Sequence, residues 1–302
     1  MADEHQADKP QRPPPTPERL VHNLRKLLSV VDAGQDHFTG MAIPGAHGRA
    51  FGGQVIGQGL MAAGQTVPDR LPHSLHAYFL RAGDNALPID YQVERDLDGG
   101  TFSNRRVIAL QEGKPILNMA VSFHNGDRGF THRVAMPAVG GPETAFSDAE
   151  WAAAHGNDLP PALKRRLLRP RPIEIRRLVP PMVRSGKAED AAHAVWLRAV
   201  APLDDAPQLL HRAVLAFFSD MGLMSTALRP HGVDWSRPGL QGASIDHALW
   251  FHDTVDVSQW MLYAMESPWA DHGRGMNRGQ IFAADGRLLA SAAQEGLNRL
   301  RD

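Results

Sequence analysis

Cysteine is absent from the 302 residues of this chain. Its absence excludes disulfide bonds, thiolate metal sites and a cysteine nucleophile. An excess of either charge is missing as well, because 32 Lys and Arg residues stand against 33 Asp and Glu residues, for a formal net charge of −1. Proteins that bind nucleic acids or membrane surfaces usually carry a concentrated basic face, so we expect neither kind of partner.

Long apolar runs are also lacking. No segment reaches the roughly 18 apolar residues of a membrane span, and the start of the chain has no apolar signal core. We therefore expect no membrane association and a cytoplasmic location. The signatures G-x-S-x-G and H-E-x-x-H do not occur, which argues against a serine nucleophile elbow and a zinc site.

Residues 1–15 are polar and rich in proline, a composition that predicts a disordered tail. Thr16 is a candidate N-cap of the helix that follows, with Pro17 at the first helical position. A Gly- and Ala-rich helix is predicted over 51–67, although helix propensity disfavours its glycines. A helix that keeps such small residues is one against which another element packs closely, and we expect that element to be a sheet.

Strand patterns come next, in SLHAYFL, in IDYQVERDL and in two runs joined by the dipeptide EG. Residues 131–170, with the basic patch LKRRLLRPRP, interrupt this order and predict a solvated linker. The order then starts again. It has a helix over 209–228, a strand in GASIDHALWFH and a hairpin that turns at Asp285-Gly286.

The two halves share their order and spacing. HAYFL and HALWFH begin at His76 and His247, and Arg106 follows the first by 30 residues while Arg278 follows the second by 31. A helix followed by antiparallel strands, made twice, predicts an α+β double hotdog fold with two tandem units, each a sheet wrapped around one long helix.

In this interpretation the N-terminal hotdog unit spans 16–130 and the C-terminal unit spans 171–302. Sheet edges of hotdog proteins usually pair between subunits, so we expect a homo-oligomer.

Five motifs, in their order along the chain, closely resemble the acyl-CoA thioesterase II family: GRAFGGQVIGQ, HSLHAYFLRAGD, GGTFSNRRVIALQEGKPI, DHALWFH and ASAAQEG. The resemblance covers about residue 20 to the end. It implies a double hotdog fold and the hydrolysis of acyl-CoA to free fatty acid and coenzyme A. No cofactor and no metal are expected.

Asp220 is prominent in the second predicted helix, because it lies next to Met221 on the apolar stripe. A buried carboxylate needs hydrogen-bond partners or a function. Ser244 and Gln294 lie on predicted strands, where their positions alone favour structural roles, a strand hydroxyl bonded to a neighbour and a surface amide. The resemblance implies that these three residues hold the attacking water together, with Asp220 as general base. The family more often has Thr where this chain has Ser244.

Several alternatives stay open. His73 and His76 are expected to be structural strand histidines, and Asp246 a structural carboxylate. A hotdog enoyl-CoA hydratase would have a His five residues after its Asp, where this chain has Ser225. A non-catalytic acyl-CoA-binding module is the other alternative. In the first half, Gln58 lies on the helix without a carboxylate, so one active site per chain is expected, in the C-terminal unit.

Overall fold

A computed structural model of the chain describes residues 14–43, 48–156, 159, 161–179 and 187–301. The predicted disordered tail lies outside these residues, apart from residues 14 and 15. Within the described ranges, no helix has both the length and the apolar character that crossing a membrane requires.

The first half contains one long central helix and six strands. Thr16 caps the first helix as predicted, since its Oγ1 accepts from Arg19 N–H at 3.3 Å. The predicted Gly- and Ala-rich helix is also confirmed and becomes the central helix, α2. In chain order the elements are α1 (Pro17–Leu28), β1 (Val30–Gly34), β2 (His37–Gly40), α2 (Gly52–Gln65), β3 (Pro72–Phe79), β4 (Ile89–Asp98), β5 (Ser103–Gln111) and β6 (Lys114–Phe123).

The second half repeats this plan around its own central helix, α5. Its hairpin turns at Asp285-Gly286, as predicted. The segment between the two repeated sets of elements, predicted as a linker, contributes β7 (Phe146–Ser147), α3 (Asp148–His155) and α4 (Pro161–Leu168). The remaining elements are β8 (Ile173–Arg177), β9 (Ala192–Ala199), α5 (Gln208–Ser219), a 3-10 helix (Leu223–His231), β10 (Leu240–Ser244), β11 (Asp246–Phe251), β12 (Met261–Asp271), β13 (Arg274–Ala283) and β14 (Leu288–Leu300).

The strands of the described residues form one 14-stranded sheet. The first half contributes the order β1-β2-β4-β5-β6-β3, and the second half the order β11-β14-β13-β12-β9-β8-β7, with β10 also paired to β14. The halves meet where β3 pairs with β11, and each repeats the same order of strands outward from that junction. This arrangement confirms the predicted α+β double hotdog.

Two cross-strand ion pairs occupy equivalent places in the halves. Arg106 of β5 pairs with Glu94 of β4, and Arg278 of β13 pairs with Glu266 of β12. These are the two arginines that the spacing in the sequence had matched. The repeat is therefore visible in the side chains of the sheet as well as in its topology.

The two histidines that begin HAYFL and HALWFH are not equivalent, although both lie at the junction of the halves. In the first half Arg106 pairs across the strands with Ala120, which pairs with His76. In the second half Arg278 pairs with Ala293, which pairs with Ala248. His76 therefore corresponds to Ala248. His76 is exposed, whereas His247 is fully buried. Because side chains alternate along a strand, an offset of one residue turns the two histidines to opposite faces. The alignment of the halves drawn from the sequence was wrong by one residue here.

Most glycines of α2 face the other central helix. A Cβ atom at Gly53 would lie 2.6 Å from the backbone oxygen of Phe217, and one at Gly57 would lie 3.1 Å from that of Ala213. Gly59, in contrast, faces the sheet. The expectation that small residues admit the sheet is thus correct for Gly59, but wrong for Gly53 and Gly57, which let α2 and α5 pack closely.

The predicted helix over 209–228 is too long. The α-helix ends at Ser219, Asp220 is its C-cap and a 3-10 helix follows. Between them lies Gly222 with φ of +86°, in the left-handed region that ends helices. Apolar periodicity continues through this break, because residues on both sides of it contact the interior, so the pattern did not reveal the end.

Arg105 of β5 closes the end of the first central helix. It is only 1% exposed. Its guanidinium donates to Thr66 Oγ1 at 2.7 Å and to the Leu97 carbonyl at 3.0 Å, and it pairs with Asp98 at 2.6 Å. Thr66 is the C-cap of α2, which is the position that Asp220 occupies on α5. The C-cap of the central helix is thus a threonine bound by a buried arginine in the first half and a carboxylate in the second half.

We expect Arg105→Met to lower the free energy of unfolding by about 2 kcal/mol or more, because the buried hydroxyl and carbonyl of Thr66 and the partly buried carbonyl of Leu97 would lose their donor. Urea denaturation of the purified protein measures this change. Arg106→Met is the matched control, since the neighbouring arginine is exposed and its surface ion pair contributes less than about 1 kcal/mol. Equal losses in the two variants would contradict the structural role of Arg105.

Candidate active site

The structure brings the three predicted site residues together from the end of α5, from β10 and from β14. Gln294 Nε2 donates to Asp220 Oδ1 at 2.6 Å and to Ser244 Oγ at 3.1 Å. One amide group therefore bridges a carboxylate and a hydroxyl that lie far apart in the sequence. The arrangement holds a buried carboxylate, an amide that donates to it and a hydroxyl on one side of the cluster.

Asp220 is 9% exposed and receives a second hydrogen bond from the first half. The backbone N–H of Gly53, in the first turn of α2, donates to Asp220 Oδ2 at 2.8 Å. The dipole of α5 disfavours a carboxylate at its C-terminal end, whereas the N-terminal end of α2 favours one. The antiparallel packing of the two central helices thus places the Asp220 carboxylate between the C-terminal end of α5 and the N-terminal end of α2.

Sequence reasoning placed the whole site in the second half and missed Gly53. Its contribution is a backbone N–H, and a backbone group leaves no residue type to recognise. The only signal in the sequence was the pair of glycines at the start of the predicted helix. Those glycines permit the close approach, since a Cβ atom at Gly52 would lie 2.8 Å from Asp220 Oδ2.

Gln294 is 1% exposed, and the orientation of its amide is set by its neighbours. Both partners of Nε2 are acceptors, so the NH₂ group must face them. Its Oε1 is buried and finds no donor among the described residues. A buried acceptor beside a carboxylate suits a donor that arrives from solvent or with the substrate, because an unpaired buried acceptor is costly.

Ser244 lies at the end of β10, where the predicted single strand is broken. Ile245 separates β10 from β11, so the prediction of one continuous strand in GASIDHALWFH was wrong. Strand β14 pairs with both pieces, and Gln294 lies on β14 beside the break. The break thus lets Ser244 and Gln294 meet, while β11 continues to the junction with β3.

The rival residues have structural contacts outside this cluster. Asp246 Oδ1 accepts the backbone N–H of Glu295 at 2.7 Å, and burial raises the pKa of the Asp246 carboxyl. His73 Nε2 lies 2.8 Å from Ser122 Oγ. The His76 ring meets the edge of a tryptophan, with centroids 5.0 Å apart.

Across the described part of the chain, no group of three or more His, Asp or Glu side chains is arranged to hold a metal ion.

Two cavities meet beside the cluster. A cavity of about 640 Å³ opens onto Asp220 and Ser244, with the exposed arginines Arg49 and Arg81 also on its wall. A second cavity of about 790 Å³ is lined by many apolar side chains, among them Ile175, Val195, Phe217, Met221, Leu228 and Met265. Both cavities share four residues, Phe51, Gly222, Ser225 and Trp235. A ligand that extends from one cavity to the other would pass the Asp220 carboxylate.

Two family models match the chain. One, described as acyl-CoA thioesterase, matches residues 173–297, and the other, described as acyl-CoA thioesterase N-terminal domain, matches residues 43–124. Acyl-CoA thioesterase 2 of Haemophilus influenzae is 37% identical over 286 residues, which cover 94% of this chain and 99% of that protein.

Solved structures are also similar. The crystal structure of the acyl-CoA thioesterase II TesB2 from Mycobacterium marinum has 34% sequence identity and a TM-score of 0.75, covering 92% of this chain and 99% of its own. A conserved protein of unknown function with a hot dog fold from Alicyclobacillus acidocaldarius has 18% identity and a TM-score of 0.72, covering 93% of this chain and 99% of its own. The second likeness supports the fold alone.

Proposed function

Because the chain belongs to the acyl-CoA thioesterase II family and is an acyl-CoA thioester hydrolase, we propose that it cleaves fatty acyl-CoA by direct attack of a water molecule held by Asp220, Ser244 and Gln294. The observation that carries this proposal is the Gln294 amide, which bridges the other two side chains at 2.6 and 3.1 Å. A carboxylate held in a fixed direction is what general-base catalysis requires.

In the proposed reaction, Asp220 takes a proton from water as the water oxygen attacks the thioester carbonyl carbon. The tetrahedral intermediate then collapses, the carbon–sulfur bond breaks, and the proton on Asp220 passes to the departing sulfur. The products are the free acid and coenzyme A, and the carboxylate is regenerated. The buried Oε1 of Gln294 is available to accept a hydrogen bond from the same water.

We assign the stabilisation of the oxyanion to the first turn of α2. The N-terminal N–H groups of a helix carry a partial positive charge. In α2 those of Gln54 and Val55 already donate to the Phe51 carbonyl, so the donors in this proposal are the N–H groups that precede them. Gly53 already directs one such group at Asp220, so the turn lies beside the reacting carbon in this proposal. Fixed donors aimed at developing charge are usually a large part of catalysis by acyl-transfer enzymes.

The two cavities suggest how the substrate lies. Coenzyme A carries phosphate groups, and Arg49 and Arg81 on the first cavity are suited to bind them. In the second cavity the apolar side chains, among them Val195, Phe217 and Met265, offer contacts for the fatty acyl chain, and charged side chains such as Arg177 and Arg229 line the rest of its wall. The thioester would then lie where the cavities meet, next to Asp220.

The division into units at 16–130 and 171–302 is part of this proposal. The segment 131–170, predicted as a linker, also contains β7, α3 and α4, and β7 extends the sheet of the second half beside β8. The homo-oligomer and the cytoplasmic location stay predictions. The hydratase alternative is not favoured, because Ser225 accepts a hydrogen bond from Trp235 Nε1 at 2.8 Å where that mechanism would need a histidine.

Thiol release from a panel of straight-chain acyl-CoA substrates, from butyryl to palmitoyl, tests the proposal. We expect steady turnover without a burst of free thiol, and no mass increase of the protein after acid quenching. A burst equal to the enzyme concentration, with an acyl group on Ser244, would replace direct attack by a covalent route. Tight binding of acyl-CoA without thiol release would support the binding-module alternative instead.

A further inference from the structure

The buried histidine of HALWFH contacts the residue that precedes Asp220. His247 is fully buried, and its Nε2 lies 2.9 Å from Ser219 Oγ. The hydroxyl of Ser219 donates its single proton to the carbonyl of Ala216 at 2.9 Å. With the proton placed there, Oγ accepts from His247, which corresponds to the Nε2–H tautomer of the ring. Burial lowers the pKa of His247 and so favours this neutral form.

A tyrosine holds the backbone of the same serine. The hydroxyl of Tyr263, on β12, donates to the carbonyl oxygen of Ser219 at 2.8 Å. The last carbonyls of a helix have no partner within the helix, and Tyr263 supplies one here. Ser219 is thus held through its side chain by β11 and through its backbone by β12.

The position of Asp220 depends on this serine. Asp220 is the C-cap of α5, and Gly222 turns the chain away from the helical path. The N–H groups of Asp220 and Met221 still donate to the Phe218 carbonyl. Ser219, next to the carboxylate, is the residue of this helix end that His247 and Tyr263 tie to the sheet. On the other side, the carboxylate must meet Gly53 N–H and Gln294 Nε2 at hydrogen-bonding distance.

We propose that His247 and Tyr263 are positioning residues for the hydrolysis, acting through Ser219 to aim the Asp220 carboxylate at the attacking water. This inference rests on the proposed role of Asp220 as the base. Neither residue lines either of the two cavities. A small rotation of the helix end would separate the carboxylate from its donors, and misplacement of about 1 Å can cost about 100-fold in rate.

A pair of substitutions separates positioning from stability. Ser219→Ala leaves the buried Nε2–H of His247 without an acceptor, so we expect a lower Tm. Adding His247→Leu removes that orphaned donor, and replacing both partners of a hydrogen bond by apolar groups can be nearly neutral. We therefore expect the double variant to regain most of the Tm, while its kcat stays about 10- to 100-fold below wild type and its KM stays close to wild type. Recovery of kcat together with Tm would show that the contact is only structural and would overturn the proposal.

Two further variants sharpen the test. In His247→Gln the amide nitrogen can replace Nε2–H, so kcat should remain well above that of His247→Leu. Tyr263→Phe, which frees the Ser219 carbonyl, should lower kcat without a matching change in KM. If glutamine gives no rescue, or if the tyrosine variant has wild-type kcat, the proposed route through Ser219 is wrong.

A substitution in the background of Asp220→Asn separates this inference from the function it rests on. If His247 acts through Asp220, His247→Leu should cause no further loss of activity once the carboxylate is gone, because residues that act as one unit are not additive. A further loss would overturn the proposal. An Asp220→Asn enzyme with wild-type activity would refute the base itself, and with it the positioning role. An inactive Asp220→Asn enzyme together with a fully active double variant Ser219→Ala, His247→Leu would refute only the positioning role.

Discussion

Replacing Asp220 with Asn is expected to lower kcat for acyl-CoA hydrolysis by about 10²- to 10⁴-fold, the usual contribution of a positioned general base. An amide cannot accept the proton of the attacking water. KM should change little, because Asp220 acts on the water in our proposal, whereas the substrate is bound by the two arginines and the second cavity. Thiol release at saturating and at low acyl-CoA concentration measures both constants.

The variant is expected to fold, because the site can accept the amide. Both oxygens of Asp220 accept from N–H donors, Gly53 on one side and Gln294 on the other. The NH₂ group of the introduced asparagine would face one of these donors. Gln294 can turn its amide and offer Oε1, which has no donor among the described residues. A near-native Tm would show that the loss of rate is chemical.

Asp246→Asn is the matched control for this prediction. The amide oxygen of asparagine can still accept the Glu295 N–H that Asp246 binds at 2.7 Å, so both the fold and kcat should be retained. If Asp246→Asn abolished activity and Asp220→Asn did not, the base would be Asp246. Activity retained in both variants would refute a carboxylate base at either position.

The fold could be predicted from the sequence because it depends on patterns that repeat. The strands could be recognised from their alternation of apolar and polar residues, and the hairpin from its turn at Asp285-Gly286. The repeat could be recognised from the similar spacing between each histidine and its arginine, Arg106 or Arg278. The pattern could not give the exact register, since HAYFL and HALWFH look alike with histidines on opposite faces. Pairing between β3 and β11 decides that register, and pairing is a long-range property.

The candidate site was predictable in its side chains and not in its backbone. Resemblance to a family pointed to Asp220, Ser244 and Gln294, and the structure places them within hydrogen-bonding distance. The end of α5 and the break at Ile245 were missed, because a left-handed glycine and an interrupted strand do not disturb apolar periodicity. The donor from Gly53 lies 167 residues before its acceptor, and no local rule connects the two.

Gly53→Ala is expected to impair stability and activity together. Alanine is the better helix former by up to about 1 kcal/mol. That gain is smaller than the cost of its Cβ, which would lie 2.6 Å from the backbone oxygen of Phe217 and 2.6 Å from the ring of Phe51. A carbonyl oxygen within a helix cannot move alone, so α2 and α5 must separate, and overpacking of this kind typically costs about 1 to 3 kcal/mol.

The same shift would move the Gly53 N–H away from Asp220, so kcat should fall by about 100-fold. Urea denaturation and thiol release measure the two effects. Gly59→Ala is the control on the same helix, because its Cβ would come too close only to the terminal methyl group of Met119, at 2.9 Å, and would meet Tyr91 and Val107 at the ordinary contact distances of 3.5 and 3.6 Å. That flexible side chain can move aside, so Gly59→Ala should keep kcat and change stability by less than about 1 kcal/mol. Equal behaviour of the two alanine variants would mean that close contact between the central helices does not position the carboxylate.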